Sequence, residues 1–86
     1  MYEYQKVKPT LFTDEGQRKF LAVRDRVQTL VAQSGAIRMD EAISKTSGDT
    51  WEALACVDRM VELGELREIG QRNEVSGQHR IFVGVR

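Results

Sequence analysis

Cysteine, histidine and proline each occur once in this chain of 86 residues, as Cys56, His79 and Pro9. One cysteine excludes an internal disulfide, and one cysteine with one histidine leaves too few soft ligands for a structural zinc site. Neither a metal nor a cofactor is expected. No apolar run approaches the ~20 residues needed to span a bilayer, and the N-terminal stretch Met1 to Pro9 has no apolar signal-type core. Those two absences point to a cytoplasmic protein without a membrane partner. An excess of charge is missing as well: thirteen Lys and Arg cancel thirteen Asp and Glu. That balance removes the simple electrostatic case for a polyanionic partner. The chain also carries no Ser/His/Asp set, phosphate-cradling glycine loop or carboxylate pair with a partner base, so it is not expected to be an enzyme.

What is present suits a small folded domain. Hydrophobic residues make up 41% of the chain and charged residues 30%, a globular rather than a disordered composition. A chain this short places nearly all its apolar residues in one core. Residues 1–12 mix Tyr2, Tyr4, Val7, Leu11 and Phe12 with Lys6 and Lys8, and Pro9 stops a helix from running through them. They read as an extended arm, docked through its aromatic residues on this chain or on a second copy.

From residue 13 onward one domain is expected. Thr13 followed by Asp14 and Glu15 is a helix start, with a hydroxyl acceptor and anions in the first turn. Phe20, Val23, Val27, Leu30 and Val31 recur at spacings of three and four, which predicts an amphipathic helix ending near Gln33 with Ser34-Gly35 as its stop. Ala36 to Arg38 is long enough only for a strand stub. Met39, Asp40 and Glu41 open a second helix carrying Ala42 and Ile43 inward, and Thr46 to Gly48 closes it. Asp49-x-x-Glu52 has the form of a capping box for a third helix. On that helix Ala53, Leu54, Val57, Met60 and Val61 share a core face, and Gly64 is placed as its terminator. Leu66 and Ile69 open a strand, Asn73 to Gln78 reads as a turn, and Arg80 to Val85 returns as a second strand.

The order helix, strand stub, helix, turn, helix, glycine, hairpin resembles the winged helix-turn-helix superfamily over residues 13–85. The sharpest part is Val57-x-x-Met60-x-x-Leu63-Gly64-Glu65-Leu66, which is similar to the way such domains leave the recognition helix and enter the wing. The resemblance implies an α+β winged helix: a three-helix core, 13–86, with a C-terminal β-hairpin wing. It also implies a small cytoplasmic regulator of transcription, acting alone or as a dimer on double-stranded DNA. In such domains the third helix enters the major groove and the wing touches phosphate or the minor groove.

Residues suited to that task are few. Thr50 and Arg59 on the third helix, Lys45 before it, and Arg67, Arg72, His79 and Arg80 on the wing form the candidate nucleic-acid set. Against them, Asp49, Glu52, Asp58, Glu62 and Glu65 give the third helix an acidic excess, and a carboxylate near a phosphate costs on the order of a kilocalorie. A competing expectation therefore keeps the fold and assigns the outward side of the third helix to protein contact. Trp51 and Ala55 would form an apolar patch rimmed by Asp58 and Glu62, with Tyr2 and Tyr4 of the arm contributing. The same region read without a partner is Trp51 packed locally against the arm or the second helix, with the wing arginines solvated. Cys56 reads as a buried structural thiol.

Overall fold

The computed structural model describes residues 1–44, 46, 48–69 and 80–85. Among them are helices α1 (Tyr4–Val7), α2 (Asp14–Ser34), α3 (Met39–Ile43) and α4 (Thr50–Glu62), and a 3₁₀ turn at Lys8–Phe12. Strands β1 (Ala36–Arg38), β2 (Leu66–Glu68) and β3 (Ile81–Gly84) form an antiparallel sheet in the order β1-β3-β2. The chain is thus α+β, and none of its described helices is long and apolar enough to cross a membrane.

The longest helix begins and ends where side-chain chemistry places it. The Thr13 hydroxyl accepts from the Gly16 N–H at 3.0 Å, which satisfies one of the unpaired donors of the first turn. At the other end the Gly35 N–H returns to the Val31 carbonyl at 2.7 Å with φ of 82°, a conformation that glycine adopts without a Cβ penalty. Gly64 ends α4 in the same way, with φ of 79°. The capping box expected at Asp49 and Glu52 is rearranged: Asp49 accepts from the Trp51 N–H at 2.9 Å, and Glu52 reaches Lys19 of α2 at 3.4 Å. Glu41 instead reaches back to the Arg38 N–H at 2.9 Å and secures the start of α3.

β3 lies between the other two strands, with Phe82 opposite both Ile37 and Glu68. Its inward residue, Phe82, is fully buried with Val27, Met39, Val57 and Met60. β1, β2 and β3 therefore close the core as one sheet, and the turn expected at residues 73–78 lies outside the described residues.

The extended arm expected for residues 1–12 is instead wound into α1 and the 3₁₀ turn. Pro9 sits at the start of that turn, where a missing N–H costs nothing and a fixed φ favours helical geometry. The turn buries Leu11 against the core and lies directly on the first turn of α2. Gly16 makes that approach possible, because a Cβ there would meet the Thr10 carbonyl oxygen and stand 2.8 Å from the Leu11 Cα.

Replacing Gly16 by alanine tests this contact. Alanine in a helix is favoured over glycine by up to about 1 kcal/mol, whereas forcing atoms into a packed site costs about 1–3 kcal/mol. The obstructing atoms are backbone, so the clash should win. Urea unfolding of Gly16→Ala should show a net loss of stability, and an unchanged or raised midpoint would show that the turn moves freely.

Candidate functional site

α4 is enclosed on more than one side. Ala53, Leu54, Ala55, Cys56 and Val57 are all buried, and five successive helical positions span more than a full turn. α2 packs on one side, and α1 with the 3₁₀ turn packs on another. Ala55, expected on the outward face, is 0% exposed. The correction has a simple cause: Ala55 shares the side of α4 carrying Asp58, Arg59 and Glu62, which the N-terminal segment covers.

The covering contacts are specific. The Tyr2 hydroxyl donates to Asp58 Oδ2 at 2.6 Å, and the Tyr4 hydroxyl donates to Glu62 Oε1 at 2.6 Å. Lys8 Nζ reaches Glu62 Oε2 at 2.7 Å and Arg59 Nη1 reaches Glu62 Oε1 at 2.8 Å. The Tyr2 and Trp51 rings meet edge to face, with centroids 6.4 Å apart, and the Arg59 guanidinium lies 5.2 Å from the Phe12 ring centroid. Trp51 remains 45% exposed at the margin of this contact.

Arg80 ties the sheet to the same helix. Its guanidinium donates to Asp58 Oδ1 at 2.6 Å and to Glu68 Oε1 at 2.8 Å, and it stacks over Phe82 at 5.1 Å. The side chains of Arg80 and Asp58 are only 21% and 13% exposed. Burial opposes the Arg80 charge, but the bonds to Glu68 and Asp58 outweigh it and hold the guanidinium protonated. Burial and the hydrogen bonds to carboxylates push both tyrosine hydroxyls upward, so they remain donors.

Among the described residues, the expected nucleic-acid residues are not gathered into one basic surface. Thr50 is exposed at the start of α4 and Arg67 is exposed on β2, while Arg59 and Arg80 are engaged by carboxylates of the same chain. Lys45, Arg72 and His79 lie outside the described residues. Of the expected protein-contact residues, Tyr2, Tyr4, Trp51, Asp58 and Glu62 do come together, against one another. Lys8, Phe12 and Glu68 complete the cluster and were not singled out by sequence. For Lys8 the legible signal was complementary charge, a lysine-bearing arm beside an acidic helix.

On the far flank of α2, a cleft of about 680 Å³ is lined by Arg18, Lys19, Arg26, Asp49 and Glu52, among others. Lys19 is held by Glu52 and by the Asp49 carbonyl at 3.1 Å. Arg26 is held by the Glu41 carbonyl and the Ser44 hydroxyl, each at 3.0 Å. Among the described residues, acids and bases balance along its walls. Cys56 is fully buried, and burial pushes its thiol up to about 11. A thiol-specific reagent should label it only as the chain unfolds, and rapid stoichiometric labelling of the native protein would contradict that placement.

No family model, curated protein or solved structure matches this chain.

The Glu62 contacts give the covered face a pH dependence. Bonds from Lys8, Tyr4 and Arg59 lower its carboxyl from 4.5 to about 2. A carboxyl that titrates lower in the folded chain contributes fully above its unfolded value and loses that contribution as pH falls through its folded value. The Glu62 contribution should therefore weaken below pH 4.5 and vanish near pH 2. Trp51 fluorescence followed in that window should report the N-terminal segment loosening, and Glu62→Gln should abolish the part of the transition due to this residue. An acid transition identical in Glu62→Gln would assign it elsewhere.

Proposed function

We propose that this chain is a winged-helix module whose α4 face serves protein contact rather than the reading of DNA. Support for the winged-helix part is the order of elements from α2 to β3 together with the sheet order β1-β3-β2. The observation that carries the functional part is the occupation of α4's outer side by Tyr2, Tyr4 and Lys8 through Asp58 and Glu62. A helix poised to enter the major groove presents free donors to base edges. Here the guanidiniums of Arg59 and Arg80 are neutralised within the chain, and Trp51 stays 45% exposed at the edge of the face, an aromatic of the kind enriched at interface centres.

In this reading the N-terminal segment and α4 form one composite surface, and a protein partner docks across Trp51 at its edge. A cytoplasmic location belongs to the same reading. DNA binding is the second reading, favoured by the exposure of Thr50 at the helix start and Arg67 on β2. A basic protein binding phosphates through several contacts loses affinity steeply as salt rises.

Titration of random duplex DNA at low ionic strength separates the two. The full chain should leave the duplex free. Binding that weakens steeply with salt and falls in Arg67→Ala would overturn the protein-contact reading in favour of the second. Affinity purification from the source cells supplies the positive arm: a partner retained by the wild-type chain should be lost from Trp51→Ala, whose own fold is checked by circular dichroism. A partner held equally by both proteins would remove Trp51 from the interface.

A further inference from the structure

Asp58 is held from two sides at once. From the sheet, Arg80 Nη2 donates to its Oδ1 at 2.6 Å and Arg80 Nη1 donates to its Oδ2 at 3.3 Å. From the N-terminal segment, the Tyr2 hydroxyl donates to the same Oδ2 at 2.6 Å. Arg80 stands directly before β3 and also clasps Glu68, the last residue of β2, through Nε at 3.0 Å and Nη2 at 2.8 Å. One carboxylate on α4 thus joins the covering segment to the paired ends of β2 and β3.

The two grips depend on each other. A guanidinium fork that donates to both oxygens fixes the plane of a carboxylate, and so fixes where Oδ2 presents its remaining lone pair to Tyr2. Without the fork, Asp58 is an unpaired carboxylate whose side chain is only 13% exposed, beside the charge of Glu68 that shared the same Nη2. An unpaired charge in such a place turns toward water, and Tyr2 loses its acceptor. The converse follows, because coupling between two sites is reciprocal: without the Tyr2 hydroxyl, Asp58 has one restraint fewer against an Arg80 that Glu68 also holds. Glu62 supplies the contrast. It anchors the same segment through Tyr4 and Lys8, and its third partner, Arg59, lies on α4 rather than on the sheet.

We propose that Asp58 is a latch coupling the N-terminal cover of α4 to the ends of β2 and β3. Whatever draws Arg80 from Asp58 loosens the cover, and whatever lifts the cover loosens the strand ends. The latch regulates access to the α4 face whatever that face binds, and its test needs no partner.

Each end has its own reporter. The Tyr2 ring meets Trp51, so Trp51 emission follows the cover. The Ile69 N–H donates to the Ile81 carbonyl at 2.9 Å, so its hydrogen exchange follows the strand ends. Arg80→Lys keeps the charge but lacks the planar fork, and Arg80→Met removes the charge as well; circular dichroism of the full chain confirms that each variant is folded. Both should move Trp51 emission to longer wavelength, and Arg80→Lys carries the test should Arg80→Met unfold. In the other direction, Tyr2→Phe should speed Ile69 exchange about threefold or more, whereas Tyr4→Phe should leave it unchanged. In urea unfolding, Tyr2→Phe combined with Arg80→Lys should lower the folding constant about threefold less than the product of the separate effects, the signature of coupled sites. Tyr4→Phe combined with Arg80→Lys should give the simple product. Separate effects of Tyr2→Phe and Arg80→Lys that multiply, or Trp51 emission unmoved in Arg80→Lys, would overturn the proposal. So would Ile69 exchange that responds equally to Tyr2→Phe and Tyr4→Phe, which would mark a general loosening of the segment.

Discussion

The enclosure of α4 is the constraint on which the remaining structure depends. Three small residues, Ala53, Ala55 and Cys56, alternate with Leu54 and Val57 in the buried run, and their size lets neighbours approach the helix from several directions. α2 and the sheet supply the usual core contact on one side. On the other side the chain uses its own N-terminus, anchored by Leu11 and brought close by the absence of a side chain at Gly16. Burial of a single large apolar side chain contributes roughly 1.5–3 kcal/mol. Seating Leu11 offsets only part of the entropy lost in ordering the segment before it, about 1–2 kcal/mol per residue, and Tyr2, Tyr4 and Val7 packed against the core add to that offset.

Charge follows the same plan. The chain is neutral as a whole, and α4 carries an acidic excess that the N-terminal segment and Arg80 answer. Ion pairs that keep contact with solvent, as Lys8–Glu62 and Arg59–Glu62 do, are each worth only about 0–1 kcal/mol, so they orient the segment more than they hold it. Their consequence for function is larger than their energy. Asp58 and Glu62 no longer present free acid to a partner, and Arg59 and Arg80 no longer present free base. At this face Trp51 stays half exposed beside an interlocked set of neutralised pairs.

Much of the fold was legible from local chemistry. Thr13 as a cap, Gly35 and Gly64 as stops, the three-and-four spacing of Phe20, Val23 and Val27, and the strand stub at Ala36 to Arg38 all depend on neighbours within a few residues. The N-terminal segment was less legible, because a single proline ends a helix in its interior and begins one at its first turn; which applies to Pro9 depends on where the turn falls. Ala55 was misplaced because a helical wheel built from one core face cannot show a second layer arriving from residues more than fifty positions away.

For the site, Tyr2, Tyr4, Trp51, Asp58 and Glu62 were distinguishable by residue type, but their meeting was not. Tyr2 and Asp58 are separated by 56 residues and Tyr4 and Glu62 by 58, and nothing in either segment alone specifies the other as partner. By itself the amino-acid sequence determined the α+β class, most element boundaries and the scarcity of cysteine and histidine, since these follow from composition and short-range periodicity. Only the tertiary structure decided that the outer side of α4 is covered and that Arg59 and Arg80 are paired with carboxylates of the same chain. Those outcomes depend on which distant surfaces pack together, and packing is settled by the whole chain at once.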